Sequence, residues 1–303
     1  MGRIRAAMAG DIGRRPTNQD LAFVGDGVYI VCDGMGGGVG GQRASAAAVD
    51  RFRELDVDPI RPLEHIRSAL SAAHDDVLAI GEELDGICGT TLTGLVLPYT
   101  EKAVPHGRHA RRAGQDGSGE GNVECPDSCY VLNIGDSRTY HLSRGADGWD
   151  PNTLYRITHD HSQRQEAIDS GRLLPQEALS IPRNIITQCL GDPEGIHPDI
   201  YAVDCSGRFI ACSDGLHGEV DDAAIARIAA RYDEPQEAAD ALVHVALLSG
   251  GRDNVSVVVV DAPSDTSDGV WQAVRLVDGE DLGEIADCTL DTARTRRPPD
   301  TGR

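Results

Sequence analysis

The sequence predicts a mixed α/β fold, and three observations carry that prediction. Short apolar, β-branched runs such as Val28 to Cys32, Ser128 to Ile134, Arg208 to Ser213 and Val255 to Val260 read as strands buried on both faces. Between them lie longer stretches with apolar residues at helical spacing, clearest at Leu63, Ile66, Leu70, Ala73, Val77, Ile80 and Leu84. Three strands stop on an aspartate with glycine beside it (Asp33, Asp136, Asp214), and Asp253 stands just ahead of the most apolar strand.

Taken in order, Arg14 to Asp20 is polar, and Pro16 and Asn18 predict a turn presenting Arg15 and Asp20 ahead of a strand, Leu21 to Val24. The run Val28 to Cys32 leads into a glycine-rich turn, and Gln42 to Leu55, rich in Ala and Arg, reads as a helix. Pro62 to Leu84 is an amphipathic helix on which His65 and His74 are exposed bystanders. Gly89 to Leu97 alternates and reads as a strand. Pro98 to Asp127 then loses all periodicity, which predicts a flexible insertion at 98–127. Its His106, His109 and Cys125, with Cys129 beyond, match no strong zinc spacing.

Ser128 to Ile134 and Thr139 to Leu142 predict a tight hairpin with Asp136 at its tip. Leu154 to Thr158 is a short strand, and Ser162 is placed to cap a helix running to about Ser170. Helices over Asp221 to Arg231 and Pro235 to Leu248 separate the last two buried strands. Residues 263–303 form an extension with one more strand at Val270 to Val277 and an Arg/Pro-rich end, from about Thr292, expected to be disordered.

Bulk properties narrow the function. The 303 residues allow one large domain or two small ones, and 40% apolar content supports a sizeable core. A net charge of −21 argues against nucleic acid and anionic membrane surfaces as partners. There is no apolar run of membrane-spanning length and no secretory leader, so a cytoplasmic protein is expected. The eight cysteines show no disulfide framework, and several sit in apolar runs where buried, reduced thiols belong.

The stretch Val28 to Gly38 concentrates the chemistry. A carboxylate ending a buried strand is costly to desolvate unless it is paired or bound to a cation. Glycines directly after it let backbone groups approach a ligand closely. Three readings stand at this point: a metal ligand, an aspartate capping the next helix, and a dinucleotide fingerprint in Gly36-x-Gly38-x-x-Gly41. In the last, Asp33 would occupy the first glycine's place and repel a pyrophosphate. The other aspartates weigh towards metal. Four carboxylates of one design, with no Lys or His placed to pair with all of them, need cations to offset their repulsion. All-oxygen ligation selects hard divalent ions, Mn²⁺ or Mg²⁺, over zinc.

These residues resemble the metal-dependent PP2C-type (PPM) serine/threonine protein phosphatases. The resemblance runs in register over about residues 1–262: Arg15-x-x-Asn18-Gln19-Asp20, Val31-Cys32-Asp33-Gly34-Met35-Gly36-Gly37, Gly89-Thr90-Thr91, Asn133-Ile134-Gly135-Asp136-Ser137-Arg138, Thr158-x-Asp160-His161-Ser162, Cys212-Ser213-Asp214-Gly215 and Asp253-Asn254. Each motif is loose alone; seven in order are specific. The resemblance implies a four-layer sandwich, two antiparallel β-sheets flanked by helix pairs, over residues 1–262. It implies two tightly bound Mn²⁺ or Mg²⁺ ions and a weaker third. Asp33 looks like the carboxylate bridging the first two, with Asp214 and Asp253 on the first and the Gly34 carbonyl on the second. Asp136 matches a ligand of the third ion, shared with Asp214. Asp20 matches a residue orienting the attacking water, and Arg15 the residue holding the substrate phosphate. His161 to Leu190 corresponds to the variable flap.

The implied reaction is hydrolysis of phosphoserine and phosphothreonine in proteins, by direct attack of a hydroxide bridging the metals. A bridging pair lowers the pKa of a shared water and clamps the phosphoryl oxygens, while an arginine can fork two of them. No Cys sits in a phosphate loop beside a base, which disfavours a phosphocysteine route. The implied partners are a phosphorylated protein and an opposing Ser/Thr kinase, with the enzyme a monomer. Two departures from animal members look bacterial: Gln19 replaces a Glu, and Met35 replaces a His.

Overall fold

The computed structural model describes residues 3–37, 39–100, 126–182, 184–263 and 270–276. Most of the expected insertion, with His106, His109 and Cys125, lies outside the described residues, as do residues 277–303. The chain opens with β1 (Arg5–Asp11), β2 (Asp20–Val24) and β3 (Val28–Met35), then α1 (Val39–Val57) and α2 (Leu63–Glu83). The strands β4 (Gly89–Thr90), β5 (Leu92–Val96), β6 (Ser128–Ile134) and β7 (Arg138–Leu142) follow. A small hairpin, β8 (Arg144–Gly145) and β9 (Gly148–Trp149), precedes β10 (Tyr155–Arg156) and α3 (Gln163–Asp169). The last part holds β11 (Asp199–Asp204), β12 (Gly207–Cys212), α4 (Asp214–His217), α5 (Asp222–Arg231), α6 (Pro235–Ser249), β13 (Val255–Ala262) and β14 (Ala273–Arg275).

Two antiparallel sheets result, β1-β13-β12-β7-β10 and β14-β11-β6-β5-β3-β2, with β4 against β3. The period-two alternation of strands explains the layering. In β3, Val28, Ile30 and Cys32 face α1 and α2, joining Phe52, Ile66 and Leu70 in one core. Tyr29 and Val31 point the other way and meet Phe209, Val258 and Val260 between the sheets. The second sheet turns Ile210, Val257 and Val259 outward to Ile225, Leu242 and Ala246 of α5 and α6. The order is helices, sheet, sheet, helices: the four-layer sandwich.

Capping follows local chemistry. Ser162 accepts from the Gln165 amide at the start of α3, and Asp221 accepts from the Ala224 amide at the start of α5.

Several sequence expectations are corrected. The β6–β7 hairpin does not exist: β6 pairs with β5 and β11, whereas β7 pairs with β12 and β10 in the other sheet. The chain crosses between sheets at Gly135 to Ser137, so Asp136 sits on the crossover. Buried hydroxyl pairs tie the facing strands there, Thr93 Oγ1 to Thr139 Oγ1 at 2.9 Å and Thr91 Oγ1 to Ser137 Oγ at 2.7 Å. The strands β1 and β11 are additional to those the sequence pattern predicts. Past residue 262 the chain also adds packing: β14 pairs with β11, Leu276 is buried in the first core, and Trp271 donates Nε1–H to the Asp204 carbonyl at 2.9 Å. Residues 270–276 of the extension thus pack on the sandwich, with β14 inside the strand expected at Val270 to Val277.

Candidate active site

The site is assembled from strand ends and the loops between them. Asp33 lies within β3, directly opposite Asp20 of β2 in the register. It is therefore not a cap for α1, which begins six residues later at Val39. The break between β4 and β5 secures it. The Asp33 amide donates to Thr91 Oγ1 at 3.0 Å, and its carbonyl accepts from the Thr91 amide at 2.9 Å and Thr90 Oγ1 at 3.0 Å. Gly34 comes next because nothing larger fits: a Cβ would run into the Gly41 carbonyl. The Gly34 amide donates to the Gln19 carbonyl at 3.2 Å.

Asp20 is buried, and Ser213 Oγ donates to its Oδ2 at 2.7 Å while accepting from the Ser256 amide at 3.0 Å. Its other oxygen, Oδ1, is buried with no partner among the described residues. Asp214 follows Ser213 and opens α4. At the other end of that single turn, His217 Nε2 lies 3.0 Å from the Asp136 carbonyl. Burial, with Arg138 adding to it, pushes the His217 pKa down to about 3, so the ring is neutral and Nε2–H is the donor.

Asp253 arrives through Asn254. The Asn254 side chain accepts from the Gln19 amide at 2.8 Å and donates to the Ile12 and Thr17 carbonyls at 2.9 and 3.0 Å. That clamp draws the β1–β2 loop, with Arg15 and Asp20, against β13. Arg15 Nη2 then donates to Asp253 Oδ2 at 2.6 Å.

Electrostatics show how the carboxylates converge. Burial, then Asp20, Asp214, Asp136 and Asp253 in turn, push the Asp33 carboxyl well above its ordinary range. Burial lifts Asp20 to about 7, with Asp214 adding to it. Asp136 rises to about 8 by burial and the nearby Asp214, and Asp214 to about 6 by burial and Asp253. The nearby Arg138 does not compensate Asp136 fully, because it forks Asp160 with bonds of 2.9 and 2.6 Å. Five carboxylates thus crowd one end of the sandwich with a single direct cationic partner among the described residues, Arg15.

Among the described residues no three or more His, Cys, Asp or Glu side chains are disposed to close on one metal ion as they stand. Arg15 holds the Asp253 carboxylate in an ion pair. The donor chemistry nonetheless fits a hard divalent cation: the oxygens are carboxylates, their charge is largely uncompensated, and Asp20 Oδ1 is orphaned. Asp33, Gly34, Asp214, Asp253 and Asp136 are the residues that could hold such ions.

The flap is anchored beside these groups. The His161 amide donates to the Gly135 carbonyl at 2.9 Å, next to Asp136, and Leu190 exchanges backbone bonds of 2.9 and 3.1 Å with Thr90. Sequence reasoning gave no role to His217, although its place three residues after Asp214, one helical turn on, was a usable signal. Of the weak zinc set, the described Cys129 is buried inside β6.

The site is thus a cluster of carboxylate oxygens gathered at one end of a two-sheet α/β sandwich. Comparison with known proteins supplies the family. The chain is 31% identical over 267 residues to the serine/threonine protein phosphatase PstP of Mycobacterium tuberculosis, covering 85% of this chain and 45% of that protein. It thus spans about half the length of that relative. The crystal structure of the PPM Ser-Thr phosphatase MsPP from Mycobacterium smegmatis, in complex with cacodylate, is 32% identical, with a TM-score of 0.66 and coverage of 85% of this chain and 97% of that one. The catalytic domain of PstP in complex with 2 manganese ions superimposes with a TM-score of 0.67 at 29% identity, over 86% of this chain and 99% of that one. No family model matches the chain. The chain belongs to the PPM, or PP2C-type, family of serine/threonine protein phosphatases, in its bacterial branch.

Proposed function

We propose that the protein hydrolyses phosphoserine and phosphothreonine in proteins, using two Mn²⁺ or Mg²⁺ ions and a weaker third. The observation that carries this reading is the crowding of Asp20, Asp136, Asp214 and Asp253 around the buried Asp33. Asp33, Asp214, Asp253 and the Gly34 carbonyl would hold the first two ions, and Asp136 with Asp214 would hold the third. Bound there, such ions would lower the pKa of water and offset the charge on the phosphoryl oxygens. The relative solved with two manganese ions supports the pair of divalent ions.

The chain's own residues do the rest. Asp20, fixed by Ser213 through one oxygen, keeps the other free to orient the attacking water. Arg15 is half exposed and bound to Asp253 by one nitrogen, so its guanidinium can turn to fork a phosphate when cations claim that carboxylate. A cysteine nucleophile is disfavoured: Cys32 and Cys212 are fully buried, and burial pushes both thiols well up. His217 positions the Asp136 turn by donating to its carbonyl. The wider reading is a cytoplasmic monomer acting on a phosphoprotein opposite a Ser/Thr kinase. No helix among the described residues is long and apolar enough to cross a membrane.

A second reading, a silent module that binds phosphorylated partners, would be expected to lose a metal aspartate. All four sequence-singled aspartates are kept. Phosphate release from a phosphothreonine peptide, with and without Mn²⁺, separates the two. Binding without release in Mn²⁺ would replace the catalytic reading.

A further inference from the structure

Beside Asp214 and Asp253 lies a pocket of about 400 Å³, lined also by Gly215, Gly218, Glu219 and Arg252. The phosphate chemistry described above makes no use of its outer wall, yet that wall is built with care. Glu219, its carboxylate 5% exposed, takes three bonds from Arg252: Nε at 2.8 Å, Nη2 at 2.9 Å and the backbone amide at 3.2 Å. The Arg252 side chain is itself 74% exposed. A buried carboxylate therefore fixes an exposed guanidinium, and Nη1 is left without a partner among the described residues.

Two more arginines are brought to the same place. The Arg14 amide donates to the Gly251 carbonyl at 2.8 Å, joining the β1–β2 loop to the α6–β13 loop one residue before Arg252. The join depends on glycine. Gly13 and Gly251 have φ of +60° and +56°, and a Cβ on Gly250 would stand 2.6 Å from Glu219 Oε2. Arg15, next along, reaches Asp253. The Arg14 side chain is exposed, has no ion pair among the described residues, and helps Arg252 hold the Glu219 carboxyl below its ordinary range.

We propose that Arg14 and Arg252 form a subsite for an anionic group on the substrate chain close to the phosphoresidue, either a carboxylate side chain or a second phosphate. This rests on the phosphatase reading of the neighbouring carboxylates. The net charge of −21 would by itself favour basic substrates. Exposed charges are screened beyond roughly 8–10 Å at physiological salt, so contact partners outweigh the distant total. At contact range this wall offers Arg14 and the free edge of Arg252. Glu219 is already spent on Arg252, and its role is to remove the rotamer freedom an anion would otherwise have to quench.

The test is steady-state phosphate release in Mn²⁺ from phosphothreonine peptides alike except for one flanking position, carrying Ala, Asp, phosphoserine or Lys. The wild-type protein should show a KM roughly tenfold lower for Asp or phosphoserine than for Ala, the gain of one charge-assisted contact. That ratio should shrink with added salt and fall towards one in Arg14→Ala and in Arg252→Gln. Arg14→Ala breaks no side-chain bond among the described residues, so it remains informative if Arg252→Gln unfolds by stranding Glu219. A preference for phosphoserine alone assigns the subsite to phosphate, and one shared by Asp assigns it to anions generally. Equal KM across the four peptides, or a preference for Lys, overturns the subsite and leaves the phosphatase reading intact. No release from any peptide overturns both.

Discussion

Asp20→Asn should stabilise the metal-free protein while disabling it. Asp20 is buried, and its pKa of about 7 against an ordinary 3.8 means that ionising it inside the fold is unfavourable by about 4 kcal/mol. An asparagine keeps the Ser213 bond through its carbonyl and removes the charge. Its amide NH₂ replaces the orphaned oxygen, and leaving it unpaired costs about 1–3 kcal/mol. The net gain is then about 2 kcal/mol, or roughly 4–8 °C in Tm for a chain of this size. The sign follows from linkage. A carboxyl raised in the fold favours folding below its unfolded pKa, and that advantage is lost as pH rises through the folded one. In EDTA the variant should match or trail the parent at pH 4 and exceed it at pH 8. Mn²⁺ should erase the lead by stabilising the parent. Thermal unfolding at both pH values, with and without chelator, measures all of this. A variant less stable than the parent at pH 8 in EDTA, or a gap independent of pH, would refute the argument.

Four other outcomes are expected. Arg15→Ala should raise KM more than it lowers kcat, because the phosphate contact exists before and during reaction; a pure kcat loss would show that Arg15 acts only in the transition state. Asp136→Asn should keep two tight Mn²⁺ sites by calorimetry and lose mainly kcat, and loss of the tight pair would remove Asp136 from the third position. Leu276→Ala should cost about 2–5 kcal/mol in denaturant unfolding. Ending the chain at Pro263 should be worse still, since it also strips Arg275 from Asp199, whose carboxylate is 2% exposed. A truncated protein as stable as the parent would show that β14 is not part of the packed body.

What could be read from the residues alone was chemistry that is local in sequence. Asp33, Asp136, Asp214 and Asp253 announce themselves because a charge at the mouth of an apolar strand is anomalous within a few residues. Strands such as β3 and β13 are legible for the same reason. The chain Arg5-Ala-Ala-Met-Ala-Gly-Asp11 has weak strand preference, and becomes β1 because the valine-rich β13 offers it a full antiparallel register. The crossover at Asp136 was unreadable because two short strands and a glycine turn look like a hairpin until their partners are known. Likewise, β14 gains its place from Asp204, Ile200 and Asp199, more than sixty residues upstream. The Arg15–Asp253 pair and the Glu219–Arg252 brace are long-range contacts that no spacing announces.

The central claim is that the carboxylates around Asp33 are a divalent-cation site that drives phosphomonoester hydrolysis. Calorimetric titration of Mn²⁺ into the wild-type protein and Asp33→Asn, with phosphate release followed on the same samples, tests it most directly. Two tight ions in the wild type, their filling in step with activity, are the expected result. In Asp33→Asn the tight pair should be lost, with activity down on the order of 10³-fold, about 4 kcal/mol of transition-state stabilisation. Full activity in excess EDTA, or an intact tight pair in Asp33→Asn, would contradict the claim.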